Sequence, residues 1–385
     1  MKKIYLLLAA SMFFLNTNAQ TIKNKKDGNY NFTVVKDLEA SSVSNQNQSS
    51  TCWSYSSLSF LESELIRMDK GSYKLSPMYV VRKAYEGKAE KYVRMHGTQN
   101  FAAGGAFHDM LWVLKNYGLV PLEVYTGNTN AENLPVHWEM DEGLKGYMDA
   151  VIKAKNGGKL STYWPLAVSG ILDAYLGKEP TEFNYLNKKY TPKSFATSLG
   201  LDADNYVAIS SFTHHPFYTQ FLMEVPDNWA GGQCYNVPLD ELKTIISNAV
   251  NTGYSVAWAA DVSEKGFSFK NGVAIVPENP WKLMSEDQIK DAFNEPVKQL
   301  TITQELRQTA FDNYETQDDH GMHITGMYKA QNGDIYYKVK NSWGTDRNEC
   351  GGYLYASEAY VLYKTTNILV HKDAIPSNIK KKMGL

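Results

Sequence analysis

Apolar residues recur along this chain in two rhythms. Between Cys52 and Met68, the residues Leu58, Leu61, Leu65 and Ile66 return at every third or fourth position, which gathers them on one face of a helix. Ser49, Ser50 and Thr51 just before it are residue types that cap a helix start, and Glu62 and Glu64 are expected on its polar side. Met110, Leu111, Val113 and Leu114 predict a second helix after Gly104-Gly105, stopping at Gly118. From 126 to 200, Asn, Glu and Lys are frequent, Pro and Gly punctuate, and helical segments at 142–155 and 165–176 alternate with loops. Later the rhythm turns strand-like. Residues 254–261 read as a strand, and 323–330 and 335–343 flank Asn332-Gly333, a strong hairpin signal. Further strands are expected at 353–355 and 366–371. A helical first part and a strand-rich last part predict an α+β protein of two lobes, with a polar arm and loop over 21–45.

The first residues follow a different order. Lys2 and Lys3 precede an apolar run of 12 residues from Ile4 to Leu15, then Asn16-Thr17-Asn18 and the small Ala19. This is the arrangement of a secretory signal peptide cleaved after Ala19, and its apolar run is short for a permanent membrane span. Export to a periplasm or the extracellular space is therefore expected, with no stable membrane insertion after cleavage. The organisation reads as a signal peptide (1–19), an N-terminal arm (20–44), a helical lobe (45–125), a helical insertion (126–204), a strand-rich lobe (205–372) and a C-terminal tail (373–385).

Composition narrows the partners more than the fold. The chain is 43% hydrophobic and 21% charged, with net charge −2. It shows no basic excess of the kind a nucleic-acid binder carries. Its three cysteines, Cys52, Cys234 and Cys350, are too few for a disulfide-dependent scaffold, and Cys234 and Cys350 read equally as a bridge or as two free thiols.

Chemistry concentrates at Cys52. A thiol at a helix start faces unpaired backbone N–H groups and the positive end of the helix dipole, both of which favour the thiolate. Gln46, six residues earlier, lies where its amide can donate to an oxyanion beside the Cys52 N–H. The hairpin brings Asp319-His320-Gly321-Met322 near Asn341-Ser342-Trp343-Gly344, so Asn341 can fix the His320 tautomer while Trp343 shields their bond. His323 is the competing base, and the spacing to Gly326 with the flanking Asp319 favours His320. His108, His214 and His215 have no carboxylate or Cys at metal spacing and read as packing or surface residues.

Gln46, Cys52-Trp53, Asp319-His320 with Gly326, and Asn341-Ser342-Trp343-Gly344 together resemble the papain superfamily in order and local spacing. Three departures are informative. Ser49 stands where such enzymes usually carry a disulfide-forming Cys. The stretch before Gln46 is too short for an inhibitory propeptide. The 268 positions from Cys52 to His320 exceed the roughly 130–150 typical of papain-like enzymes. These point to the bleomycin hydrolase (aminopeptidase C) branch, which the segments 104–118, 224–239, 256–262 and 307–312 also resemble.

The resemblance implies a papain-like two-lobe fold: a helical lobe carrying Cys52, an antiparallel β-barrel-like lobe carrying His320 and Asn341, and a helical insertion. It implies a cysteine peptidase acting on peptides without metal or cofactor, with Gly104, Gly105 and Trp343 lining the substrate path. It further implies an aminopeptidase, in which the C-terminal tail blocks one side of the cleft, and a homo-oligomer, a hexamer in relatives. Alternatives are an open-cleft endopeptidase, if the short tail ending at Leu385 does not reach the cleft, and a catalytically silent binding protein.

Overall fold

The computed structural model describes residues 22–129, 134–154 and 158–385. The expected signal segment lies outside these. Among the described residues no helix is long and apolar enough to cross a membrane. The helices are α1 (Cys52–Arg67), α2 (Pro77–Arg94), α3 (Phe107–Asn116), α4 (Trp138–Lys153), α5 (Trp164–Leu176), α6 (Pro192–Leu199), α7 (Leu239–Asn251), α8 (Glu286–Ala292), α9 (Gln304–Asp312), α10 (Glu358–Lys364) and α11 (Ser377–Lys382). The strands are β1 (Ile22–Lys23), β2 (Asn31–Asp37), β3 (Phe183–Tyr185), β4 (Lys188–Tyr190), β5 (Tyr206–Ser210), β6 (Gln220–Leu222) and β7 (Gln233–Asn236), followed by β8 (Val256–Ala260), β9 (Phe267–Ser268), β10 (Val273–Ala274), β11 (His320–Ala330), β12 (Ile335–Lys340), β13 (Tyr353–Ser357) and β14 (Thr365–His371).

Helix α1 organises the molecule. It packs on α2 and α3 on one side and on β8 and β11 on the other. No face is left for water, so the expectation that Glu62 and Glu64 lie on a polar side is corrected: both are buried. Burying a carboxylate is costly unless its oxygens find donors. Here Glu62 accepts from the Leu75 N–H at 2.9 Å and from the Ser41 hydroxyl. Glu64 takes a two-pronged bond from Arg67 at 2.9 and 2.8 Å.

The strand lobe is one sheet in the order β6-β7-β5-β14-β8-β11-β12-β13-β10-β9. Its long central strand β11 changes partner midway. Residues 320–324 pair with β8 and 326–330 with β2. Gly326 sits at the handover, where a Cβ would meet the Lys36 carbonyl oxygen at 2.9 Å and Asp37 Oδ1 at 3.0 Å. The polar stretch 21–45, read as arm and loop, thus contributes β1 and β2 to this sheet. The main chain of β2 supplies the pairing, and Tyr30 and Phe32 bury their rings beneath it.

Helices α2 and α6 to α11 lie where no helix is expected from the sequence pattern. The 126–204 segment supplies α4, α5, the β3–β4 hairpin and α6. Met140, Leu144, Met148, Val168, Leu172 and Leu176 of α4 and α5 join the same buried cluster as α1, α2 and α3. A second cluster fills the strand lobe, where α7 and the sheet enclose Leu242, Ile245, Ile246, Trp258 and Ile324.

Candidate active site

Cys52 is the first residue of α1 and is half-buried. The loop before it is tightly folded, with Asn47 and Ser50 in the left-handed region. Ser49, at the position of the missing cysteine, is wholly buried, and its hydroxyl pairs with that of Thr51 at 2.6 Å. Thr51 consequently makes no side-chain cap on α1, contrary to the residue-type expectation. The first amides of the helix are left for other partners.

The start of β11 lies directly against the start of α1. A Cβ on Gly321 would fall 2.7 Å from Ser56 Oγ and 3.3 Å from Trp53 Cα, so the absence of a side chain there is what lets His320 approach. The Gly321 and Trp53 amides lie by the Cys52 sulfur, where they favour its charged form. On the far side, His320 Nε2 lies 2.8 Å from Asn341 Oδ1. That oxygen also accepts the Ser342 N–H at 2.8 Å, which settles the orientation of the Asn341 amide. His320 Nε2 must therefore carry a hydrogen, leaving Nδ1 as the nitrogen that exchanges protons. The Trp343 ring covers this bond, its centroid 4.7 Å from that of His320.

The chain of contacts continues to Gln46. The Ser342 hydroxyl donates to Gln46 Oε1 at 2.6 Å, and the Gln46 N–H bonds to the Ser342 carbonyl at 2.8 Å. With its oxygen held, the Gln46 side chain offers its NH₂ as a donor. Ser342 is thus a positioning residue, although its place in the Asn341-Ser342-Trp343-Gly344 motif assigns it no role. The signal available was a hydroxyl next to the tautomer-fixing Asn.

Burial pushes the Cys52 thiol up to about 12, helped by the charges of Asp318 and Asp227 and opposed by the Gly321 and Trp53 amides. Burial also pushes His320 down, against the Asn341 bond and the charge of Asp319. Each shift reflects the cost of making one charge alone in a poorly hydrated place. Passing the proton from Cys52 to His320 makes two opposite charges at once, whose attraction offsets part of that cost.

Cys52, His320, Gln46, Gly104, Gly105 and Trp343 all line one cavity of about 480 Å³ between the lobes. Asn341 lies behind His320 and outside the lining. The Gly104-Gly105 segment is anchored from beneath: Trp53 Nε1 donates to the Ala103 carbonyl at 3.1 Å, and the buried Lys88 ammonium bonds the Ala102 and Gly104 carbonyls. A Cβ on Gly105 would strike Asp109 Oδ2 and the Trp53 ring.

Of the other residues singled out in the sequence, His108 and Cys234 also line this cavity, while His323, Cys350, His214 and His215 lie apart from it. His323 is buried in the sheet with Nδ1 2.9 Å from Ser59 Oγ. Cys350 donates to the Asn24 carbonyl, and all three cysteines are free. His214 and His215 do meet a carboxylate, Glu224, which the sequence spacing conceals. Gln308 Oε1 accepts the Thr213 N–H, so its NH₂ faces His214 Nδ1 at 2.9 Å. His214 Nε2 then carries the hydrogen and donates to Glu224 at 3.1 Å, which occupies the lone-pair position a metal would need. Helix α11 folds back on the strand lobe, Lys382 pairing with Glu241 at 2.6 Å. Leu385 lines a different cavity, with Trp112 and Tyr235.

The profile of the Peptidase C1-like family matches residues 175–384, more than half of the chain. The chain belongs to the Peptidase C1-like family. It is a papain-superfamily cysteine peptidase with an α+β fold. Curated relatives of this Peptidase C1-like chain include Aminopeptidase C of Lactobacillus delbrueckii subsp. lactis, 23% identical over 94% of this chain and 86% of that protein. Aminopeptidase C of Listeria monocytogenes serovar 1/2a is 23% identical over 88% of this chain and 81% of that protein. The crystal structure of PepW from Lactobacillus rhamnosis HN001 superposes with a TM-score of 0.71 at 20% identity, over 91% of this chain and 84% of that one.

Proposed function

We propose that the protein is an exported cysteine aminopeptidase that releases residues from the free N-terminus of peptides. The observation that carries the chemistry is the continuous hydrogen-bonded line His320–Asn341–Ser342–Gln46 beside a thiol at a helix start. The names of the curated relatives support the exopeptidase part, and the charged-apolar-small order of residues 1–19 supports export.

In this reading His320 Nδ1 takes the Cys52 proton and the thiolate adds to the substrate carbonyl carbon. The Cys52 N–H and the Gln46 NH₂ receive the resulting oxyanion. As the tetrahedral species collapses, the C–N bond breaks and His320 returns its proton to the departing amine. The acyl group remains as a thioester on Cys52. Neutral His320 then draws a proton from water, hydroxide adds to the thioester, and the thiolate leaves. Asn341 keeps Nε2–H in place throughout. A ring-like homo-hexamer is part of the proposal by resemblance, and sedimentation velocity reads it.

A second reading has its own observation. Because Leu385 sits in another cavity, the tail does not obstruct the cleft, which suits an endopeptidase. The test is hydrolysis of an aminoacyl coumarylamide against its N-acetyl counterpart. A higher kcat/KM on the free-amino substrate is expected, and faster cleavage of the acetylated one would select the endopeptidase.

A further inference from the structure

An aminopeptidase needs something that recognises the charged amino end. Leu385 lines another cavity, and the walls of the cleft carry carboxylates that can serve. Asp227, Asp318 and Asp319 line the cavity that holds Cys52, and among the described residues no Lys or Arg lines it. The three carboxylates are not equivalent. Asp319 is engaged, accepting from the Val262 N–H at 3.0 Å and the Ser263 hydroxyl at 2.8 Å. Asp227 receives one bond, from Asn100 Nδ2 to Oδ1 at 3.1 Å. Its other oxygen, Oδ2, presses on the glycine segment: a Cβ on Gly104 would fall 1.8 Å from it. Asp318 has no donor or cation partner among the described residues. Burial, with Asp227 and Asp319 adding like charge, pushes its carboxyl up to about 7. A cation entering the cavity would relieve that crowding.

Gly104 has a distinct place in this arrangement. Asp227 Oδ2 meets the glycine segment at Gly104, so a peptide laid along Gly104-Gly105 with its carbonyl at Cys52 passes beside this carboxylate. Asp318 is only two residues from His320 in sequence and shares the same cavity. Resting on the aminopeptidase reading, we propose that Asp318 and Asp227 form the subsite for the α-ammonium group of the substrate's first residue, and so limit cleavage to the bond after it. A chain extended on that side places a neutral amide against two carboxylates, leaving them unpaired, and is selected against.

The test is the ratio of kcat/KM for an aminoacyl coumarylamide to that for its N-acetyl counterpart. It is measured on the whole enzyme and on Asp318→Asn and Asp227→Asn, with active sites counted by a thiol-directed epoxide so that misfolded protein drops out. Loss of a charge-assisted bond is expected to lower the ratio roughly 10- to 100-fold in Asp318→Asn, mainly through KM, with a loss in the same direction in Asp227→Asn. An unchanged ratio in both variants overturns the proposal. So does a loss that is equal on the free-amino and N-acetyl substrates and confined to those carrying Arg or Lys, which would make this a side-chain pocket. If the unmodified enzyme itself prefers the acetylated substrate, the aminopeptidase reading falls instead.

Discussion

Ser342→Ala isolates the link between the base and the oxyanion donors. The Ser342 hydroxyl bonds Gln46 Oε1 at 2.6 Å, and the two residues are 6% and 7% exposed, so water does not readily replace the lost donor. Leaving a buried acceptor unsatisfied costs about 1–3 kcal/mol. Losing an oxyanion donor altogether costs about 2.7–4 kcal/mol, or 10²–10³ in kcat. Ser342→Ala should fall below that ceiling, lowering kcat roughly 5- to 100-fold while KM changes little. The Asn341 bond survives, because it uses the Ser342 main-chain N–H. The assay is steady-state hydrolysis of an aminoacyl coumarylamide by the two single variants, Ser342→Ala and Gln46→Ala, and by the double variant. If Ser342 acts through Gln46, the double variant is no slower than Gln46→Ala, and the coupling equals nearly the whole Ser342 effect. Full kcat in Ser342→Ala, or losses that simply add, would refute the reasoning.

Two other perturbations probe the frame. Gly321→Ala introduces a methyl 2.7 Å from Ser56 Oγ and 3.3 Å from Trp53 Cα, and should cost about 1–3 kcal/mol by overpacking while moving His320 off Cys52. Urea unfolding and kcat should both fall, and unchanged values would contradict the close approach. Burial lowers the Lys340 ammonium to about 7. The unfolded chain therefore binds the extra proton between about pH 7 and 10, and this residue's contribution to stability rises with pH across that window, by at most about 1.4 kcal/mol per unit. Lys340→Met should be stabilised relative to the parent most at pH 6 and less at pH 9, read from urea midpoints; a pH-independent difference would count against it.

Much of the site was legible because it is written in local signals. Cys52 at a helix start, the Asn332-Gly333 hairpin and the His320–Asn341 spacing need only nearest-neighbour rules. What escaped depends on which surfaces meet. Glu62 and Glu64 look polar-facing until α1 is known to run between two lobes. The strand β2 has only Phe32 as a deeply buried side chain and is recruited by β11 through main-chain bonds, which composition does not record. Helix α2 carried a usable start in Ser76-Pro77, whose serine caps the Tyr79 N–H. Helix α7 kept clear three-and-four spacing from Leu239 to Val250 within a lobe otherwise read as strands. The Asp227–Asp318 pairing joins positions 91 apart, and the placement of Leu385 follows from how α11 turns back; neither has a local signature.

The central claim is that Cys52 is the nucleophile. Mass spectrometry after treatment with a thiol-directed epoxide, alongside turnover of an aminoacyl coumarylamide, tests it most directly. The parent enzyme should gain one adduct, on Cys52, as turnover stops, and Cys52→Ala should fold, take no adduct and hydrolyse nothing above background. Retained hydrolysis in Cys52→Ala, or inactivation through an adduct on Cys234 or Cys350, would contradict it.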